Sequence, residues 1–260
     1  ISPMESSVIA AVERSGRLDH GFQQLASYYE GLAKARELVI QKSAYPVFML
    51  HFGVLALALP SLITKGTSAY LHATLPILGV VYAAVFFFWV LFSAFREAGT
   101  TNALMDRLLR LIPWVGKVRR NFSIARFCTI YQIELDAGVN VINALLAASR
   151  ASGSGMIRSA VDAALPEVRG GGQVGPLLAV SGAFPEWMIQ SLMVGEESGE
   201  LDQELSRLAT EFQAEAFAQL ERAASRIGKL IYLSVLIYLG WRIVSTYEGM
   251  LKEQLKATDF

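Results

Sequence analysis

Two carboxylates, Glu196 and Asp202, lie in the stretch Gly195-Glu196-Glu197-Ser198-Gly199-Glu200-Leu201-Asp202, and the same pair recurs near the start of the chain as Glu13 and Asp19. Two acids beside a helix start can bind a calcium ion. Capping of helix ends and simple solvation is the reading adopted here. His20, His51 and His72 are scattered and lack the H-E-x-x-H spacing of a zinc site. His51 lies inside an apolar run, where an ionisable group is a candidate for function; a neutral imidazole bonded to a backbone carbonyl is the simpler account. Cys128 is the single cysteine, so no internal disulfide or cysteine metal cluster can form. It reads as a small buried apolar residue.

Nucleotide and nucleophile chemistry find no foothold. Gly116-Lys117 has Leu111 where a P-loop needs its first glycine, and no Ser or Thr follows; Gly228-Lys229 fails likewise. Gly170 to Gly175 resembles a phosphate loop in composition alone, and no G-x-S-x-G elbow occurs. The expectation is a chain with no catalytic, cofactor-binding or metal-binding residues, and so not an enzyme.

The elements around the acids are helices. Leu201, Leu205, Leu208 and Phe212 have the spacing of one buried helical face. Gly199 with Ser198 breaks the pattern before it, and Glu200 and Asp202 lie at the positive end of the new helix dipole. Subtracting 183 superimposes Glu13, Ser15, Gly16, Leu18, Asp19, Leu25 and Ala26 on identical residues, and Leu18, Phe22, Leu25 and Tyr29 repeat the apolar face. This reads as an internal duplication. The chain opens inside the first copy without an initiator Met, so it is expected to be a fragment whose first domain is mostly absent.

The composition is 53% hydrophobic and 18% charged, too apolar for an ordinary soluble domain. Zero net charge gives no overall basic field for nucleic acid. Residues 43–64 contain no Asp, Glu, Lys or Arg and would span a bilayer core; 74–95 is a second, aromatic span with Phe86, Phe87, Phe88, Trp89 and Phe92. Residues 227–247 form a third, in which Arg242 can snorkel to the outer interface. From Arg96 to Arg126 there are seven Lys or Arg and two Asp or Glu, against one basic residue in the loop 65–73. The positive-inside rule therefore puts 1–42 and 96–226 in the cytoplasm. The basic run is read as facing anionic lipid headgroups.

The expected fold is an all-α membrane protein: antiparallel helical-bundle cytoplasmic domains with three transmembrane helices. In order these are the end of a first cytoplasmic domain (1–42), a span (43–64), a short outer loop (65–73), a span (74–95), a basic linker (96–117), a six-helix bundle (118–226), a span (227–247) and an outer tail (248–260). Within the bundle a first helix ends at Asp136-Ala137-Gly138, and a second runs from about Asn140, a candidate N-cap, to Ala151. A third runs from Met156 to Val168, before the turn Gly170-Gly171-Gly172. Short helices near 174–180 and 185–194 and the long helix from Leu201 complete it. Trp187, Met188 and Met193 either pack inside the bundle or offer an apolar surface.

Several stretches resemble the type II secretion F-protein family, which includes the platform protein of type IV pili. They are Leu111-Ile112-Pro113-Trp114-Val115-Gly116-Lys117, Ala125-Arg126-Phe127, Asp136-Ala137-Gly138-Val139, Tyr45-Pro46, and Phe184-Pro185 followed by the stretch from Gly195 to Asp202. The resemblance implies two homologous six-helix cytoplasmic domains and three spans in an N-in arrangement. It implies a non-enzymatic platform in the bacterial inner membrane, contacting a cytoplasmic assembly ATPase, pilin or pseudopilin subunits and other inner-membrane assembly proteins, and forming homo-oligomers. Glu13, Gly16, Asp19, Gly138, Pro185, Gly195, Glu196, Gly199 and Asp202 would be its structural signature. The rival from another class, a small transporter or channel component, needs polar residues lining the spans, and only His51, Arg242 and a few hydroxyls are available.

Overall fold

A computed structural model describes residues 18–111 and 115–258, and these are helical with no strand among them. The elements are α1 (Leu18–Thr101), α2 (Ala103–Leu111), α3 (Val115–Asp136), α4 (Val141–Ala151), α5 (Gly155–Arg169), α6 (Val174–Ala179), α7 (Glu186–Ser198) and α8 (Leu201–Thr258). Three stretches, Tyr29–Ile63, Gly66–Leu91 and Leu201–Gly249, are long and apolar enough to cross a membrane. The chain is thus an all-α membrane protein with a helical bundle, as its apolar runs and helical periodicity require.

Two compact units are present. The first contains residues to Ala35 and Leu91–Glu221. Its core is organised on α3, where Ile124, Phe127, Cys128, Ile130 and Tyr131 are all fully buried. Around them lie Leu145 of α4, Ile157 of α5, Leu178 of α6, Met188 and Leu192 of α7, and Leu205, Leu208 and Phe212 of α8. Phe127 meets Phe184 with ring centroids 5.1 Å apart. Cys128 is a free, buried thiol, and burial pushes its pKa up. Met188 belongs to this core, while Trp187 is 43% exposed and stacks on Phe212 at 5.0 Å.

The second unit contains Arg36–Val90 and the chain from Arg222. Large apolar side chains point outward along it, among them Val80, Phe86, Phe87, Trp89, Ile237 and Trp241. Such a surface is stable against lipid rather than water. Where the sequence suggests a loop over 65–73, the chain stays helical on both sides of one break at Gly66 (φ 81°, ψ −179°). Only a residue without a Cβ adopts this backbone at low cost, so one glycine reverses the chain.

The linker 96–117 also differs from the sequence reading, because it contains α2. This short helix turns Asp106 and Leu109 inward, leaving them 1% and 3% exposed.

Candidate functional site

The corner between α7 and α8 gathers most of the residues singled out in the sequence. Gly199 ends α7 in the left-handed conformation (φ 74°, ψ 13°), which a side chain would strain. Ser198 Oγ accepts from the Glu200 amide at 3.3 Å, and Glu204 N donates to Glu200 O at 3.1 Å, starting α8 one residue later. Gly195 lies where the helices touch: a Cβ there would sit 3.2 Å from both Leu201 Cα and Glu204 Cβ. Pro185 is the N-cap of α7, and Ile189 N donates to its carbonyl at 3.2 Å.

Glu196 projects from this corner to another helix. Its two carboxylate oxygens accept from Val174 N and Gly175 N, each at 2.8 Å. The acid therefore caps the start of α6, satisfying two of the amides that a helix leaves without partners. The sequence reading of helix capping or solvation for this acid named no helix; the one it caps is α6. Beneath it Tyr131 is fully buried, and its hydroxyl has no hydrogen-bond partner among the described residues. Burial, and secondarily the Glu196 charge, push the phenol pKa up.

Asp202 is directed elsewhere, lining a polar groove with Gln132, Asp136, Arg207 and Thr210. In that groove Arg207 is paired with Glu204 at 2.8 Å and Glu211 at 3.0 Å. The two acids of the signature thus have separate surroundings. Among the described residues, no group of three or more His, Cys, Asp or Glu is placed to hold a metal ion. Gly138 follows α3 in a Schellman turn, with Gly138 N donating to Leu135 O at 2.9 Å and Val139 N to Glu134 O at 3.0 Å. Asn140 Oδ1 accepts from Asn143 N at 2.9 Å, the N-cap expected of it. Glu13 and Gly16 lie outside the described residues, as do the side chains of Asp19 and Arg242.

A second polar junction was missed by sequence reasoning. Asp106 of α2 accepts from Arg119 Nε at 3.0 Å, from Met156 N at 3.3 Å, and from Ser154 Oγ. Ser154 is itself the N-cap of α5. Arg119 also donates to Gly153 O at 3.1 Å, and Arg126 donates to Ser152 O at 2.7 and 3.1 Å. Two cations of the basic run therefore hold the α4–α5 turn. An Asp at i with Leu at i+3 between Arg residues was the available clue to α2, but an acid in a basic stretch reads as solvated.

In the second unit, His51 Nδ1 lies 2.7 Å from Val47 O and Nε2 lies 2.5 Å from Tyr82 Oη. A carbonyl only accepts, so Nδ1 carries the proton, and in the neutral ring Nε2 accepts from the Tyr82 hydroxyl. The carbonyl-bonded imidazole expected from the sequence is present, with an added tie between the first two spans.

The type II secretion system (T2SS) protein F family model matches residues 127–247. The type IV pilus assembly protein TapC of Aeromonas hydrophila is 27% identical over 94% of this chain and 64% of its own length. The type II secretion system protein F of Pseudomonas aeruginosa is 29% identical over 82% of this chain and 58% of its own length. The type IV pilus assembly protein PilC of Thermus thermophilus is 28% identical over 94% and 64%. The chain spans about three fifths of the length of these relatives. The matched residues 127–247 contain the α7–α8 corner, the Schellman turn and the third candidate span, and this part of the chain is a type II secretion system protein F domain, with relatives named type II secretion protein F and type IV pilus assembly proteins PilC and TapC.

Proposed function

We propose that this chain is a non-enzymatic platform protein of the bacterial inner membrane, serving a type II secretion or type IV pilus assembly machine. Its bundle receives motion from a cytoplasmic assembly ATPase, its spans handle pilin or pseudopilin subunits, and copies of it associate. The reading draws on the family and on one structural observation: α8 runs unbroken over 58 residues from the glutamate corner into the third candidate span. A helix of that kind suits transmission of a shift or rotation. This sequence carries no P-loop, so the reading assigns the energy to a partner. Gly138, Pro185, Gly195, Glu196, Gly199 and Asp202 would serve as the joint that fixes where α8 begins, and Glu13, Gly16 and Asp19 would do the same in the first copy.

The test is Ala214→Pro. Ala214 is exposed in α8, and proline there removes a backbone hydrogen bond and clashes with the carbonyl of Thr210. Pilus or pseudopilus assembly is expected to stop while the protein still fractionates with the membrane. Normal assembly by this variant would reject the coupling.

A further inference from the structure

A cleft in the second unit is lined by Lys42, Tyr45 and Pro46 of α1 and by Ser225, Lys229 and Tyr232 of α8. The helices are close here: a Cβ added to Gly228 would already be in van der Waals contact with α1, 3.4 Å from Lys42 O and 3.8 Å from Pro46 Cγ. Further along, Tyr45 and Tyr232 meet with ring centroids 6.3 Å apart, and Gly53 meets Leu239. The pairs advance in step, so the two segments run parallel and enter the apolar region side by side.

Each helix carries the same local pattern, a lysine followed three residues later by a tyrosine: Lys42-Ser-Ala-Tyr45 and Lys229-Leu-Ile-Tyr232. Each lysine is also the last charge before an apolar run, residues 43–64 on one helix and 230–241 on the other. Both lysines therefore mark the same level, where charge gives way to hydrocarbon, and the tyrosines lie one turn deeper, as interface aromatics do. Both lysines are exposed, and neither forms an ion pair among the described residues.

We propose that this cleft binds the phosphodiester headgroup of an anionic phospholipid. Two ammonium groups flank the phosphate, the hydroxyls of Ser225 and the tyrosines are available as donors, and the tyrosine rings border the upper acyl chains. A zwitterionic lipid would bring its own cation against the lysines, so the site selects net negative charge. The proposal requires the spans to cross a bilayer and does not depend on the assembly role above.

The experiment is a native mass spectrometric titration of the full detergent-solubilised chain with phosphatidylglycerol and with phosphatidylcholine. Wild type is expected to retain phosphatidylglycerol preferentially. The double variant Lys42→Gln/Lys229→Gln should bind it roughly thirtyfold more weakly, and each single variant should fall between. Arg107→Gln/Lys117→Gln, which removes two exposed charges of the basic run, should bind as wild type does. Equal retention of the two lipids, an unchanged double variant, or an equal loss in the basic-run variant would overturn the proposal. Displacement by soluble glycerol 3-phosphate would also overturn it, by identifying a free-phosphate site. If the double variant fails to insert, the single variants decide by the same criterion.

Discussion

The Asp106 carboxylate and the Arg119 guanidinium meet at 3.0 Å inside the first unit, although both belong to a stretch whose composition reads as a solvated basic run. Asp106 is 1% exposed and also holds the first turn of α5 through Met156 N and Ser154 Oγ. One side chain thereby fastens α2 to both α3 and α5.

Removing Asp106 should be costly. Asp106→Ala leaves Arg119 mostly buried and the start of α5 without its carboxylate, and a buried pair broken from one side typically costs about 3–5 kcal/mol. Arg119 keeps its bond to Gly153 O and some solvent contact, so the lower end, about 3 kcal/mol, is expected. Denaturant unfolding of the full chain in detergent, followed by far-UV circular dichroism, measures it.

Glu196→Gln should act locally. The amide keeps one acceptor, but its NH2 group would face a backbone N–H, so one of the two bonds to α6 is lost. The cost is about 1–3 kcal/mol. Hydrogen exchange should accelerate at the Val174 and Gly175 amides first, with α4 and α5 unchanged. Uniform acceleration across the bundle would contradict this role.

Two close-packed glycines should respond differently to alanine. At Gly155 the new Cβ would lie 2.5 Å from Asn102 C and 2.7 Å from Asn102 O, where only backbone movement could relieve it. At Gly175 the nearest atom, at 2.5 Å, is Met193 Cγ, on a flexible side chain. Gly155→Ala is expected to cost about 3 kcal/mol, the top of the usual overpacking range, and Gly175→Ala about 1 kcal/mol. Adding Met193→Ala should make Gly175→Ala less costly, which a double-mutant cycle reads directly.

Tyr131→Phe should be neutral or stabilising by up to about 1 kcal/mol, because it deletes a buried hydroxyl that has no partner among the described residues. The pH dependence follows from the direction of the shift. Burial raises the folded pKa above the unfolded value of about 10. The unfolded chain therefore releases this proton first, so the stabilisation is complete below about pH 10 and is lost as pH rises beyond it. Tyr131→Phe should lose less stability across that alkaline limb than wild type does.

Much of the fold was legible because its signals were local. The apolar runs, the Asn140 cap, the ends of α3 and α5, and the break at Gly199 each follow from a few neighbouring residues. What escaped depended on residues far apart in sequence. Glu196 reads as a surface acid until α6 is placed against it, 21 and 22 residues away. Asp106 reads as solvated until Ser154 and Met156 arrive from about 50 residues on. The loop expected over 65–73 differs for another reason: a single glycine suffices to turn the chain, and its neighbours carry ordinary helical propensity.

The corner at Gly199 has almost no slack. One left-handed residue, followed by Glu200, separates the end of α7 from the start of α8, while Glu196 ties the same corner back to α6 through two short bonds. A displacement entering at Leu201 would reach α7 through the corner and α6 through Glu196, and the chain has room to give at the three consecutive glycines 170–172 ahead of α6 and at Gly182 between α6 and α7.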